Sequence, residues 1–258
     1  MGFTPSINRG GLRERLSREL FAAWAIAKKD VSIYYLKPPV IVSGMLFPLF
    51  MFLAFAVGRP GGPSVLIPGL IAVTILFSAS SVEPVSIPIE RRTKTYDRLL
   101  SAPISMNAVV FGESLSGFLY SIGIAFIVLI AGLLIFRPPL VSAIPLVLGM
   151  LLTSFCFATM GTLFAAYPTE SPGDIVSMLN LVRFPLIFIS GIFIPLESIP
   201  AIGQIVAFFS PLTYGNDLIE AAFRGETHFT LLVNVAMLCI FILIFQVVAN
   251  QLYKKFAQ

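Results

Sequence analysis

The sequence predicts an all-α polytopic membrane protein: six transmembrane helices, an N-terminal amphipathic interfacial helix, and a re-entrant outer hairpin before the last helix. Three observations carry this. The 258 residues are 57% hydrophobic and only 12% charged, with a mean hydropathy of +0.93, which is far too apolar for a soluble domain. The apolar residues gather into six runs near the roughly 20 residues a bilayer requires. The charged residues gather between those runs, most visibly in the stretch Glu90 to Ser105.

Residues 1–38 come first. Leu12, Leu16 and Leu20 recur every four residues, and Ala23 and Ala27 continue that side. Arg13, Arg15, Arg18, Lys28 and Lys29 supply cationic flanks and Trp24 suits an interface, the pattern of a helix lying on a membrane surface. A helix packed on a protein partner fits the same spacing. Nothing between Met1 and Asp30 reads as a signal-peptide core, so the first apolar run is expected to remain as an anchor.

The spans are expected at about 39–57, 65–88, 108–136, 140–166, 175–195 and 229–252, each close to bilayer thickness. They form one domain over residues 1–258, with the bundle at 39–253. With the N-terminus inside, 13 of the 17 Lys and Arg residues fall on inner segments and three on outer ones. That excess predicts cytoplasmic N- and C-termini in the cell's inner (plasma) membrane. It also accounts for the pI near 9.2 without nucleic acid, because the cations flank apolar runs. Gly117, Ser121 and Ala125 in the third span, and Ser154, Ala158 and Thr162 in the fourth, form small-residue stripes that allow close helix approach in lipid. Cys156 and Cys239 lie inside apolar runs and read as packing residues.

The inner loop 90–105 reads ERRTKTYDRLLSAPIS. Tyr96, Leu99 and Leu100 have the i, i+3, i+4 spacing of one helical face, with Arg91, Arg92, Lys94 and Arg98 around them. Apolar anchors in a charged rim suit a docking element; the charge alone would also fit a positive-inside loop. The outer segment 196–228 is too apolar for a plain loop. Ile199, Ile202, Ile205, Val206, Phe208 and Phe209 are broken up by Pro195, Pro200 and Pro211. Short re-entrant helices are expected there, with a surface amphipathic helix as the alternative.

Two stretches resemble the ABC-2 family of ATP-binding-cassette transporters. The first is Glu90-Arg91-Arg92 with Leu99-Leu100 and Pro103-Ile104-Ser105; the second runs from Leu186 through Ile189-Ser190-Gly191-Ile192 and Phe193-Ile194-Pro195-Leu196 to Pro211-Leu212-Thr213-Tyr214. Lys94 stands where a glycine is common, Arg183 where a neutral residue is usual, and Glu220 where Arg or Gln is often found. The resemblance implies an export-type permease subunit used as a homo- or heterodimer. Its first inner loop would be a coupling helix, here Glu90, Arg91, Arg92, Tyr96, Arg98, Leu99 and Leu100, seated on a nucleotide-binding ATPase subunit. The cargo implied is a small hydrophobic or amphipathic molecule or a lipid, with polysaccharide or glycolipid export as the alternative.

No Gly-Lys pair occurs, so the chain has no P-loop. The motor is expected on a separate polypeptide that binds ATP and Mg, with no cofactor or metal on this chain. An intramembrane enzyme is disfavoured: there is one histidine, His228, and no Gly-x-Ser-x-Gly. A channel would show a selectivity filter, and none is visible.

Glu83, Glu113 and Arg183 fall within expected spans, at roughly 9, 8 and 12 Å from the inner ends by helical rise. A pair between Arg183 and Glu83 or Glu113 is expected, serving as a gate near the inner mouth or simply as an interhelical tie. Pro84, Pro88 and Pro185 would kink their helices, as joints or passively.

Overall fold

The computed structural model describes residues 12–56, 66–194, 196–198 and 200–256. Arg9, Arg59, Pro195 and Ile199, and the side chains of Leu12, Arg13, Arg15 and Leu16, lie outside the described residues.

Among the described residues the chain is helical throughout, with no strand. Helix α1 (Leu12–Ile33) precedes a tract made of α2 (Pro38–Ile41), a π-helical turn Val42–Leu46, and α3 (Phe47–Ala56). The π turn sits where Pro48 has no N–H for the carbonyl four residues earlier, so the hydrogen-bond register must widen. Five helical stretches are long and apolar enough to cross a membrane: Ile67–Arg92, Met106–Phe136, Ala143–Ala165, Pro172–Ile189 and Leu231–Phe256. The first expected span, at about 39–57, is instead the interrupted α2–α3 tract.

The stretch Ile67–Arg92 is itself broken. Helix α4 (Ile67–Ala79) ends at a turn over Ser80–Val82, and α5 (Glu83–Arg92) restarts with Pro84 near its first position. Helix α4 is the central rod, with every residue but Leu70 buried. Against it pack α7 (Met106–Phe136), α8 (Ala143–Ala165) and, more lightly, α9 (Pro172–Ile189), while α12 (Leu231–Phe256) lies outside them against α8 and α7. The two small-residue stripes do face each other. Ser121 Oγ donates to Ser154 Oγ at 3.2 Å, Ser78 Oγ of α4 donates to Ser121 Oγ at 3.1 Å, and the Ser114 and Thr162 hydroxyls are 2.9 Å apart. Close approach of this kind satisfies hydroxyls that would otherwise face hydrocarbon. Cys156 is buried as expected, whereas Cys239 is exposed on α12. Helices α9 and α12 turn bulky side chains outward, among them Leu181, Phe188, Leu243 and Val247, which suits lipid contact.

Helix α1 has two seams rather than one. Ala23, Ile26, Ala27 and Asp30 are buried, while Leu20, Phe21 and Trp24 are exposed. The small seam packs on α7: a Cβ at Gly112 would lie 2.8 Å from the Ala23 carbonyl oxygen, so the two backbones touch. Leu20, expected on the Ala23 side, faces out with Trp24, four residues along the helix. The same helix therefore has a protein-packed side and an apolar outward side suited to an interface.

At the opposite end from the island, the segment expected to hold short helices is a 3₁₀ turn (Leu196–Ser198), α10 (Ala201–Ala207) and α11 (Pro211–Arg224). Helix α11 is strongly amphipathic and buries Pro211 to Ile219 almost continuously. Its last turn accepts the Val141 and Ser142 N–H groups on the Ala222 carbonyl at 2.8 and 3.1 Å, which anchors the start of α8. Asp217 accepts from the His228 and Phe229 backbone N–H groups at 2.8 and 3.0 Å and from Asn234 Nδ2 at 2.7 Å. One buried carboxylate thus ties α11 to the first turn of α12.

Candidate functional site

The island is built as the end of α5, a turn, and the short helix α6 (Thr95–Leu100). The turn forces Lys94 into the left-handed region, φ 59°, as the residue before α6. That region disfavours any side chain with a Cβ. This is the position where the resembled family commonly has glycine, and the geometry supplies the reason. Lys94→Gly is expected to raise stability by about 0.5–1 kcal/mol, read as a higher unfolding temperature of the purified protein.

Tyr96, Leu99 and Leu100 do not form an outward apolar face. Tyr96 is 6% exposed, and it packs with Ile87, Val110, Ile175 and Tyr253 while Leu99 and Leu100 lie half-buried against the same cluster. The cause is the bundle itself, whose helix ends offer an apolar seat that water does not. Burial pushes the Tyr96 hydroxyl up, and the negative Glu113 adds to the shift. What the island turns outward is polar: Arg92 at the end of α5, Lys94 in the turn, and Asp97 and Arg98 of α6 are exposed. Beside them opens a cavity of about 290 Å³ between α6, residues 168–170 and the end of α12, lined by Arg91, Lys94, Asp97, Leu100, Glu170 and Phe256.

Arg91 is turned inward. It donates to the Tyr167 carbonyl, reaches the Ala166 carbonyl at 3.3 Å, and lies 5.4 Å over the Tyr96 ring. Both carbonyls lie just past the C-terminus of α8, the negative pole of that helix, where a cation is stabilising. Arg91 therefore clamps the island to the α8–α9 connection.

Glu90 is turned inward too, into an ion cluster the sequence reading did not assemble. Lys29 Nζ lies 3.1 Å from Asp30 Oδ1, 2.6 Å from Glu90 Oε1 and 3.7 Å from Glu113 Oε1. Asp30 and Glu113 are fully buried and Glu90 nearly so. Three carboxyls from α1, α5 and α7 thus converge on one ammonium. Burial opposes the Lys29 charge, but Glu113, Asp30 and Glu90 outweigh it and hold its pKa above the ordinary lysine range. Burial pushes the Asp30 carboxyl up to about 7, Glu90 adding to the shift and Lys29 opposing it. A second tie between α1 and the island is made by Ser105, whose Oγ donates to Glu19 and also caps α7 by accepting from Ala108 N at 3.1 Å.

The expected pairing of Arg183 with a glutamate is replaced by another arrangement. Glu113 belongs to the Lys29 cluster. Glu83 Oε1 accepts the Gly117 N–H at 2.8 Å, in a slot where a Cβ at Gly117 would lie 2.5 Å from the Ala79 carbonyl and from Glu83 itself. Arg183, fully buried on α9, donates through Nε to Ser80 Oγ at 3.0 Å. Nη2 donates to the Ser80 carbonyl, to Ser80 Oγ at 2.7 Å and to Ser81 Oγ at 3.2 Å, Nη1 to Asn180 Oδ1 at 3.2 Å, and the guanidinium lies 4.9 Å from the Phe77 ring. Glu83 acts on Arg183 through space. The signal for this arrangement was present in the sequence: Pro84 has no N–H for the carbonyl four residues earlier, which is that of Ser80. Arg183 supplies the missing donor.

Five helices long and apolar enough to cross a membrane, with a charged island ion-tied to α1 and α7, define a polytopic membrane protein. The chain belongs to the ABC-2 type transporter family, whose model matches residues 22–224, and it is accordingly a permease subunit of an ABC transporter. It is 26% identical to Nodulation protein J of Rhizobium leguminosarum bv. viciae over 247 residues, covering 92% of both chains. It is 28% identical to Nodulation protein J of R. leguminosarum bv. trifolii over 236 residues, 88% of this chain and 87% of that one. It is 23% identical to the inner membrane transport permease YadH of Escherichia coli K12 over 224 residues, 85% and 87% of the two chains.

Proposed function

We propose that this permease exports a small hydrophobic or amphipathic molecule or a lipid, powered by a separate ATPase subunit that binds ATP and Mg. The chain itself carries no catalytic step. It works as one of a pair of permeases, identical or not, in the cell's inner membrane. In this reading α2–α3 is the first of six spans, the island and both termini are cytoplasmic, and the α10–α11 hairpin is a re-entrant element on the outer side. The island is the surface on which the ATPase docks.

The observation that carries this reading is the two-sided build of the island. Arg92, Lys94, Asp97 and Arg98 point outward, while Glu90, Arg91 and Tyr96 are tied inward to α1, α8 and the bundle. A push on the outer side therefore reaches several helices at once, as a two-state transporter requires. The 290 Å³ cavity beside α6 offers the partner a recess rimmed by charge.

The test uses inverted vesicles holding the permease with its cognate ABC ATPase. Charge reversal at the outward residues, Arg92→Glu with Arg98→Glu, is expected to lower ATP-dependent transport at least about tenfold, the scale of a lost interfacial charge contact, with insertion unchanged. Wild-type transport in that double variant would remove the docking assignment. Transport that continues with a hydrolysis-dead ATPase would remove the exporter reading.

A further inference from the structure

At the hairpin end, a cavity of about 370 Å³ opens between the start of α4, the end of α9 and α11. That volume lies within the roughly 300–1,000 Å³ of small-molecule sites. Its walls differ. One side is apolar, formed by Leu66, Ile192 and Leu196; the other is polar, formed by Thr213, Asn216 and Glu220. Most charged groups of the polar side are matched within the fold. Glu220 pairs with Arg224 at 2.5 Å, and Asp217 is occupied by two backbone N–H groups and Asn234; the Glu226 carboxylate stands exposed at the rim. Two buried neutral groups are not matched: Thr213 Oγ1 and Asn216 Oδ1 have no hydrogen-bond partner among the described residues, although these residues are only 1% and 4% exposed. Asn216 is held in place through its other atom, Nδ2, which donates to Glu220 Oε2 at 3.4 Å. Leaving a buried polar atom without a partner is costly, so two such atoms on one cavity wall mark a place where a ligand supplies the bonds.

We propose that this cavity binds a neutral hydroxylated head group of the transported amphiphile, through Thr213 Oγ1 and Asn216 Oδ1. A hydroxyl donates to Asn216 Oδ1, and it either donates to or accepts from Thr213. The two buried groups that await a partner are both uncharged, which suits a neutral head, while the Glu226 carboxylate stays in water at the rim. The apolar wall of Leu66, Gly69 and Ile192 continues over Pro48, Met51, Leu70 and Phe193, which line a crevice of only about 10 Å³, so a tail would lie on this surface rather than inside it. The site thus lies at the exit side of the bundle, with the polar end seated and the tail against α3 and α4. The assignment rests on the amphipathic cargo of the proposed exporter and deepens it.

The test needs no ATPase, so its outcome is separable from that of the transport assay. The purified chain in lipid nanodiscs is labelled with dodecyl glucoside carrying a diazirine in its alkyl chain. Competitors are unlabelled dodecyl glucoside and dodecyltrimethylammonium, which has the same tail and a head without a donor. The expected result is saturable labelling in residues 66–73 and in α11, displaced by the glucoside and not by the ammonium. Thr213→Val is expected to weaken binding about five- to tenfold while leaving the unfolding temperature of the free protein unchanged or higher, because an isosteric methyl replaces an unpaired buried hydroxyl. Thr213→Ser keeps the hydroxyl and retains binding. Unsaturable labelling, equal displacement by the trimethylammonium probe, or wild-type binding in Thr213→Val would each overturn the site. A clear loss of stability in Thr213→Val would overturn it too, since the hydroxyl would then have a partner within the fold.

Discussion

Lys29→Met is expected to destabilise the protein by about 3–5 kcal/mol, the range for removing one partner from a buried ionic group. The lysine is the cation at the meeting point of Asp30, Glu90 and Glu113. Without it, carboxyls from α1, α5 and α7 face one another in a low-dielectric seam, where repulsion and lost solvation add. The effect is expected to be local first: α1 should detach from α7, with faster amide exchange over Leu12–Ile33. Adding Glu113→Gln to Lys29→Met removes one buried charge and should recover part of the loss, so the two changes should couple rather than add. Strictly additive losses would show that the cluster is not an energetic unit. The pH dependence has a definite sign. Asp30 rises from 3.8 to about 7 in the fold, so the folded state binds its proton more tightly than the unfolded chain. Stability is therefore highest below about pH 4 for this group and falls as pH rises through 7. The groups facing it, Lys29, Glu90 and Glu113, stay in place in Asp30→Asn, which should flatten the thermal-unfolding profile across that window.

The cluster also defines what pattern alone can and cannot reveal. The runs that became α7, α8 and α12 were legible because twenty or more apolar residues in series have few other fates. The Ser121 and Ser154 stripes were legible because small residues at helical spacing have a single geometric use. The pattern makes Lys29 only a cationic flank of the interfacial helix and gives Asp30 no role, since nothing in α1 says that its small-residue seam presses on Gly112 one residue before Glu113. Tyr96, Leu99 and Leu100 were read as an outward face because a six-residue helix shows which side is apolar but not which side the bundle covers. The hairpin was legible as unusual, yet the burial of α11 depends on α4, α8 and α12 arriving beside it. In each case the missing quantity is tertiary: a neighbour contributed by a distant part of the chain.

Arg183→Met should cost about 3–5 kcal/mol, and Pro84→Ala should give much of it back. The guanidinium fills the place of a backbone donor. Pro84 removes the N–H that would reach the Ser80 carbonyl, α4 stops at Ala79 and α5 restarts at Glu83, and Arg183 donates to that carbonyl and to the Ser80 and Ser81 hydroxyls. Methionine fills the volume but leaves these acceptors in apolar surroundings and removes the positive charge near Glu83. An alanine at position 84 restores the intrahelical donor, so α4 and α5 can join and the carbonyl no longer needs α9. Arg183→Lys should fall between wild type and methionine, because an ammonium keeps the charge but cannot reproduce the planar fork. The functional split follows from the same geometry. The break at Ser80–Val82 lies between the central rod α4 and the island at the end of α5, so it is where motion of one can differ from motion of the other. Pro84→Ala alone should leave stability equal or higher yet lower ATP-driven transport, because a continuous helix is a stiffer link between rod and island. The measurement pairs unfolding temperature with vesicle transport for the four members of the Arg183→Met and Pro84→Ala cycle. Stability losses that simply add would separate the arginine from the proline. Wild-type transport in Pro84→Ala would make the break a passive kink.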